Sequence, residues 1–132
     1  MCAEYSSDSV KEFEIRNWFD PPLSEADVTK ATILLYIESV NKYIEDVYEL
    51  SPSSEIRIPA LLLVVSRLVN LPVVAKNHYT LRRQTIRNYS YELNTTSSPN
   101  VIKTTLEDIA ERMLRAKSYV NNDKLKIYIS NS

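Results

Sequence analysis

Not one of the 132 residues is glycine. Average usage is about 7%. Glycine is the residue that enters the left-handed backbone region without steric cost, so tight turns of positive φ must here fall to Asn or Asp, or be avoided. A sandwich or barrel of short strands needs many such turns, whereas a helical bundle needs few. The sequence therefore predicts a mainly α fold. The same absence removes every glycine-dependent site. The chain can hold no phosphate loop of the nucleotide-binding kinds and no G-x-S-x-G nucleophile turn.

The remaining composition is that of an ordinary globular chain, with 44% hydrophobic and 25% charged residues. Its length suits a single domain with a real core. Residues 23–132 read as that domain, and residues 1–22 as a tail with an irregular segment. No apolar run approaches the roughly 18 residues of a spanning helix, so no membrane partner is expected. The acidic, polar start predicts no secretory signal. The one cysteine, Cys2, excludes an internal disulfide and a cysteine-based zinc site. An intracellular, cytoplasmic setting is expected, or a nuclear one in a eukaryote.

Taken along the chain, residues 1–10 read as a loose tail. Residues 11–19 read as a short strand or an irregular segment pinned by Trp18 and Phe19, and Asp20-Pro21-Pro22 ends it. Ser24, followed by Glu25 and Asp27, predicts a helix N-terminus. Apolar residues spaced by three and four then carry that helix to Leu50, unless it breaks near Val40 and Asn41. After a loop at residues 51–54 comes IPALLLVVSRLVNL, with Pro59 in a first helical turn. It is apolar on nearly all sides, as the central helix of a bundle must be. A short helix over residues 73–78 and a turn at Tyr79-Thr80 follow. A second helix is predicted over residues 81–93, with Thr80 as its N-cap. A final helix, capped by Thr104 or Thr105, shows a stripe of Leu106, Ile109, Met113, Ala116 and Val120. Asn121-Asn122-Asp123 should close it, leaving residues 124–130 as a terminal strand or extended tail.

The residues for catalysis are not evident. The single histidine, His78, lies beside a predicted turn, where a surface or capping role is the ordinary one. Glu45-Asp46 and Glu107-Asp108 are helix neighbours that do not face each other. No catalytic, cofactor-binding or metal-ligating residue is assigned, no cofactor is expected, and the chain is not read as an enzyme.

Charge is distributed unevenly. Residues 1–56 carry four Lys/Arg against twelve Asp/Glu. Residues 57–91 carry six Lys/Arg and no acid, and residues 92–132 are nearly balanced. A local basic segment of this kind points to an anionic partner. A short helix, a turn and a second helix with basic and amide residues outside is a helix-turn-helix plan, whose second helix can enter the DNA major groove. On that plan Arg82, Arg83, Gln84, Thr85, Arg87 and Asn88 are the DNA-binding residues. Arg82 and Arg83 are candidates for phosphate, and Arg87 and Asn88 for base edges.

Residues 28–93 resemble the cyclin-like repeat of the B-type transcription initiation factors of archaea and eukaryotes. Thr85-Ile86-Arg87-Asn88, followed by Tyr91-Glu92-Leu93, is similar to the family's T-I-R-N-R-Y-K-E-L ending of the recognition helix. IPALLLVVSRLVNLP is similar to its central helix, with Arg67 at the family's arginine. The family's glycines are replaced by Asn70 and near Thr80, a zinc ribbon is absent, and only one repeat fits. The resemblance implies a single cyclin-like helical bundle that acts as a DNA-binding transcription regulator, with DNA or the transcription machinery as partner. The alternative is a cyclin-like module that binds another protein and not DNA.

Overall fold

A computed structural model describes the backbone of residues 3–82 and 99–130, and the side chains of residues 10–82 and 101–118. The protein is mainly helical. The elements in order are α1 (Ala3–Asn17), β1 (Phe19–Asp20), α2 (Lys30–Tyr48), a single 3-10 turn (Ser54–Ile56), α3 (Arg57–Leu68), α4 (Pro72–Lys76), β2 (Thr80–Leu81) and α5 (Pro99–Ser130).

α3 is the centre, as its composition requires. Every side chain from Pro59 to Ser66 is buried, and Leu62 and Val65 are wholly inaccessible. Ser66 settles its hydroxyl by donating to the Leu63 carbonyl oxygen at 2.6 Å, the usual answer for a buried helical serine. α3 packs most extensively against α5 and then α2. α2 contributes Ile33, Ile37, Val40 and Ile44, and α5 contributes Leu106, Ala110 and Leu114. These spacings of three and four put one stripe of each helix on α3.

Several predicted boundaries differ. Residues 3–17, expected as a tail and an irregular segment, form α1. In α1 Ile15 is fully buried, while Phe13 is 66% exposed on the outer side. The helix expected from Ser24 begins at Lys30. Ser24 instead closes a tight turn, its Oγ accepting from the Ala26 N–H at 3.0 Å. Thr29 is the N-cap of α2, its Oγ1 accepting from the Thr32 N–H at 3.2 Å. α2 then runs unbroken through Val40 and Asn41. α5 starts at Pro99, where the fixed φ of proline suits a first helical residue, and not at Thr104 or Thr105. Its buried stripe is 106, 110 and 114; Ala116 is exposed. α5 also continues through Asn121-Asn122-Asp123, so the backbone of residues 124–130 is helical and not a strand.

The two positive-φ residues among those described are neither Asn nor Asp. Glu49, at φ 57°, ends α2, and His78, at φ 60°, follows α4. Both stand where helices commonly take a left-handed glycine.

Candidate nucleic-acid interface

The segment expected to read DNA begins where β2 meets the bundle. α4 covers most of the predicted short helix, but Thr80 and Leu81 do not cap and open a second one. They are extended, and pair antiparallel with β1 in the register Phe19 with Leu81 and Asp20 with Thr80. Of the predicted site residues, Arg82 is described. Arg83, Gln84, Thr85, Arg87 and Asn88 lie outside the described residues, as does the rest of the predicted second helix.

The approach to Arg82 is heavily tied. Left-handed His78 turns the chain out of α4. Tyr79 then donates its hydroxyl to the Asp27 carboxylate at 2.6 Å and accepts from the Ser24 N–H at 3.1 Å. Its ring meets Phe19 edge-on at 6.4 Å. The Thr80 hydroxyl donates to the Asp20 carbonyl oxygen at 3.2 Å. Finally the Arg82 N–H donates to the Trp18 carbonyl oxygen at 2.8 Å, while the residue itself is exposed. The hydrogen bond to Asp27 raises the Tyr79 phenol above its ordinary pKa.

The basic run is not uniformly available. Arg57 is paired with Glu14 of α1. Arg67, partly exposed, donates to the Ser39 hydroxyl at 3.0 Å. Lys76 and Arg82 are exposed and make no ion pair among the described residues. The acids divide as well. Arg16 binds Glu12, Glu25 at 2.6 Å and the Leu23 carbonyl oxygen at 3.1 Å. Asp27 is engaged by Tyr79. By contrast Glu45, Asp46, Glu49 and Glu55 are exposed without an ion pair among the described residues. They lie at the end of α2 and in the loop leading into α3. Exposed Asp20, Lys30 and Asp108 also make no ion pair among the described residues, but the acids leading into α3 and the bases Lys76 and Arg82 beyond it stand apart. Twelve residues of helix, about 18 Å at 1.5 Å per residue, stand between them.

Two other features border this charge pattern. Between α2 and α5, the Tyr43 hydroxyl donates to the Glu111 carboxylate at 2.9 and 3.1 Å. The Ser118 hydroxyl donates to the Tyr48 carbonyl oxygen at 3.2 Å. Burial first, and then the Glu111 carboxylate, raise the phenols of both Tyr43 and Tyr48. Both hydroxyls stay protonated at neutral pH, and that of Tyr43 fastens α2 to α5. A cleft of about 500 Å³ opens beside Glu49, Glu55 and Lys117, floored by Leu50 and Ile56. Among the described residues no cluster of His, Cys, Asp and Glu could hold a metal ion, and no helix is long and apolar enough to cross a membrane.

Sequence reading missed Tyr79, Asp27 and Arg16 as the groups that fix the head of the basic segment. Their partners lie up to 55 residues away, and local spacing carries no signal at that range. The comparisons with known proteins add no relative: no family model matches, and neither a curated protein nor a solved structure is similar to this chain.

Proposed function

We propose that the protein is a DNA-binding regulator of transcription that meets DNA through the segment headed by Arg82. The observation that supports this reading best is the separation of loose charge across α3. Glu25 and Asp27 are engaged by Arg16 and Tyr79, and a group of unpaired acids lies at the other end of α3. A polyanion approaching the Arg82 end meets exposed Asp20 on β1 but not that group. Arg82 and Arg83 take phosphates, and Arg87 and Asn88 read base edges, with Gln84 and Thr85 beside them. The cyclin-like resemblance of residues 28–93 is consistent with this role and forms part of the same proposal.

The rival is a protein-interaction module. It is favoured by Val10 and Phe13, which stand 54% and 66% exposed one turn apart on α1. The test is binding to a random-sequence duplex pool at low salt, followed over a salt series. Phosphate contacts make log affinity fall by about 0.9 per log unit of salt for each contact. Arg82→Ala and Arg83→Ala should each lower that slope by about one and weaken all sequences alike. Arg87→Ala should relax preference at one position. If the unmutated protein binds no tighter than about 10⁻⁴ M, the weak end of non-specific binding, the DNA reading fails and the protein-interaction reading takes its place.

A further inference from the structure

The ties that precede Arg82 are more numerous than a surface turn needs. Within residues 78–82 the chain makes a left-handed turn, a tyrosine clasp, a side-chain bond to Asp20 and two β1 pairings, and then a backbone bond to Trp18. The bonds among them reach Trp18, β1 and the loop before α2, and the last of them is made by Arg82, the first residue of the densest cationic stretch. We infer that Tyr79 is a positioning residue for DNA: its clasp on Asp27 and Ser24 helps to fix where Arg82 stands on the bundle. This rests on the DNA reading and specifies how its site is held.

The physical argument is preorganisation. A cationic segment hung from a loose connection must be ordered as it binds, and that ordering is subtracted from affinity. One fixed at its root loses less. Tyr79 suits the task because one hydroxyl both donates and accepts. It joins the acidic loop before α2 to β2 through a carboxylate and a backbone amide, the charge-assisted bond being the stronger of the two. Asp27 gains by the same contact, since its charge is engaged and does not face the incoming phosphates unpartnered.

The experiment uses Tyr79→Phe, which keeps the ring against Phe19 and removes both hydrogen bonds. Exchange of the Arg82 amide, which is bound to Trp18, reports the clasp without DNA. Affinity for a duplex pool over a salt series reports positioning. In Tyr79→Phe, Arg82 exchange should accelerate at least about tenfold, the factor that one lost hydrogen bond carries, since two are removed. DNA affinity should fall about tenfold while the salt slope stays unchanged, because no phosphate contact is removed. Arg82→Ala should do the opposite and lower the slope. Asp27→Asn, which keeps an acceptor for the phenol without its charge, should fall between the unmutated protein and Tyr79→Phe, and Asp27→Ala should change both readouts in the same direction as Tyr79→Phe. Should Tyr79→Phe fail to fold, Asp27→Ala supplies the same measurements. If the unmutated protein binds DNA and Tyr79→Phe binds it equally well, or leaves Arg82 exchange slow, the inference is overturned and the DNA reading survives. If the unmutated protein does not bind DNA, both fall together.

Discussion

The α2–α3–α5 core and the junction of α1, β1 and β2 are held by different forces. In the core, Leu61 to Val65 are buried in succession among apolar stripes, and the few polar bonds lie at its edge. At the junction, few side chains are deeply buried beyond Ile15, Trp18, Phe19 and Leu23. The ties there are directional: the Arg16 hub, the Tyr79 clasp and the short β1–β2 ladder. Apolar burial scales with area and tolerates many partners. Hydrogen bonds contribute about 0.5–1.5 kcal/mol each but fix direction. The core therefore sets stability and the junction sets geometry, and substitutions in the two should differ in kind as well as size.

The largest effect belongs to the core. Leu62→Ala removes a side chain with no exposure, and should cost about 2–5 kcal/mol, measured as a fall in the denaturant midpoint. A loss below about 1 kcal/mol would remove α3 from its central place.

High pH should come next, through the α2–α5 seam. The folded state raises the phenols of Tyr43 and Tyr48, chiefly by burial. A raised pKa means the folded protein holds these protons more tightly than the unfolded chain does. The associated stability is complete below the ordinary tyrosine value of about 10 and is lost as pH climbs through the raised folded values. Alkaline titration followed by denaturant midpoint should show the loss, and Tyr48→Phe should flatten it. An equally steep loss in that variant would place the sensitivity elsewhere.

Smaller still is the stability cost at the junction. Tyr79→Phe should lose about 1 kcal/mol, well under the Leu62→Ala effect, although it disturbs Arg82 more. A loss matching Leu62→Ala would dissolve the distinction between the two regions.

The smallest change has the opposite sign. A left-handed residue with a Cβ costs roughly 1–2 kcal/mol, and glycine returns part of that gain through its unfolded entropy. His78→Gly should therefore raise stability by about 0.5 kcal/mol, read as a rise in Tm. A fall would mean that the His78 side chain contributes something its exposure does not suggest.

The core was the part most open to sequence reasoning. α3 declares itself by being apolar all round, and α2 by its spacing from Ile33 to Tyr48. α1 was hidden because, among its described side chains, Ile15 alone is buried, too few for a period. Ser24 looked like a helix cap because a serine before acids suits a tight turn equally well. Asn121-Asn122-Asp123 looked like a stop. Each of those residues disfavours helix by only about 0.7 kcal/mol, and no Gly or Pro follows to enforce the ending. For the candidate site, the charge asymmetry could be counted from the sequence. The engagement of Arg57 and Arg67 could not, nor could the clasp, because each depends on a partner brought close only by the fold. The turn-then-helix expectation failed at Thr80 and Leu81 for the same reason: their partner strand lies some 60 residues earlier.

The chain's only tryptophan, Trp18, is 8% exposed and offers its carbonyl to the Arg82 amide. The protein thus carries its single indole where Arg82 is tied to the bundle. Indole emission moves to longer wavelength as water reaches the ring, so its colour in the unlabelled protein follows whether that joint is shut. Opening of the Trp18–Arg82 joint should thus be visible in a cuvette without a dye.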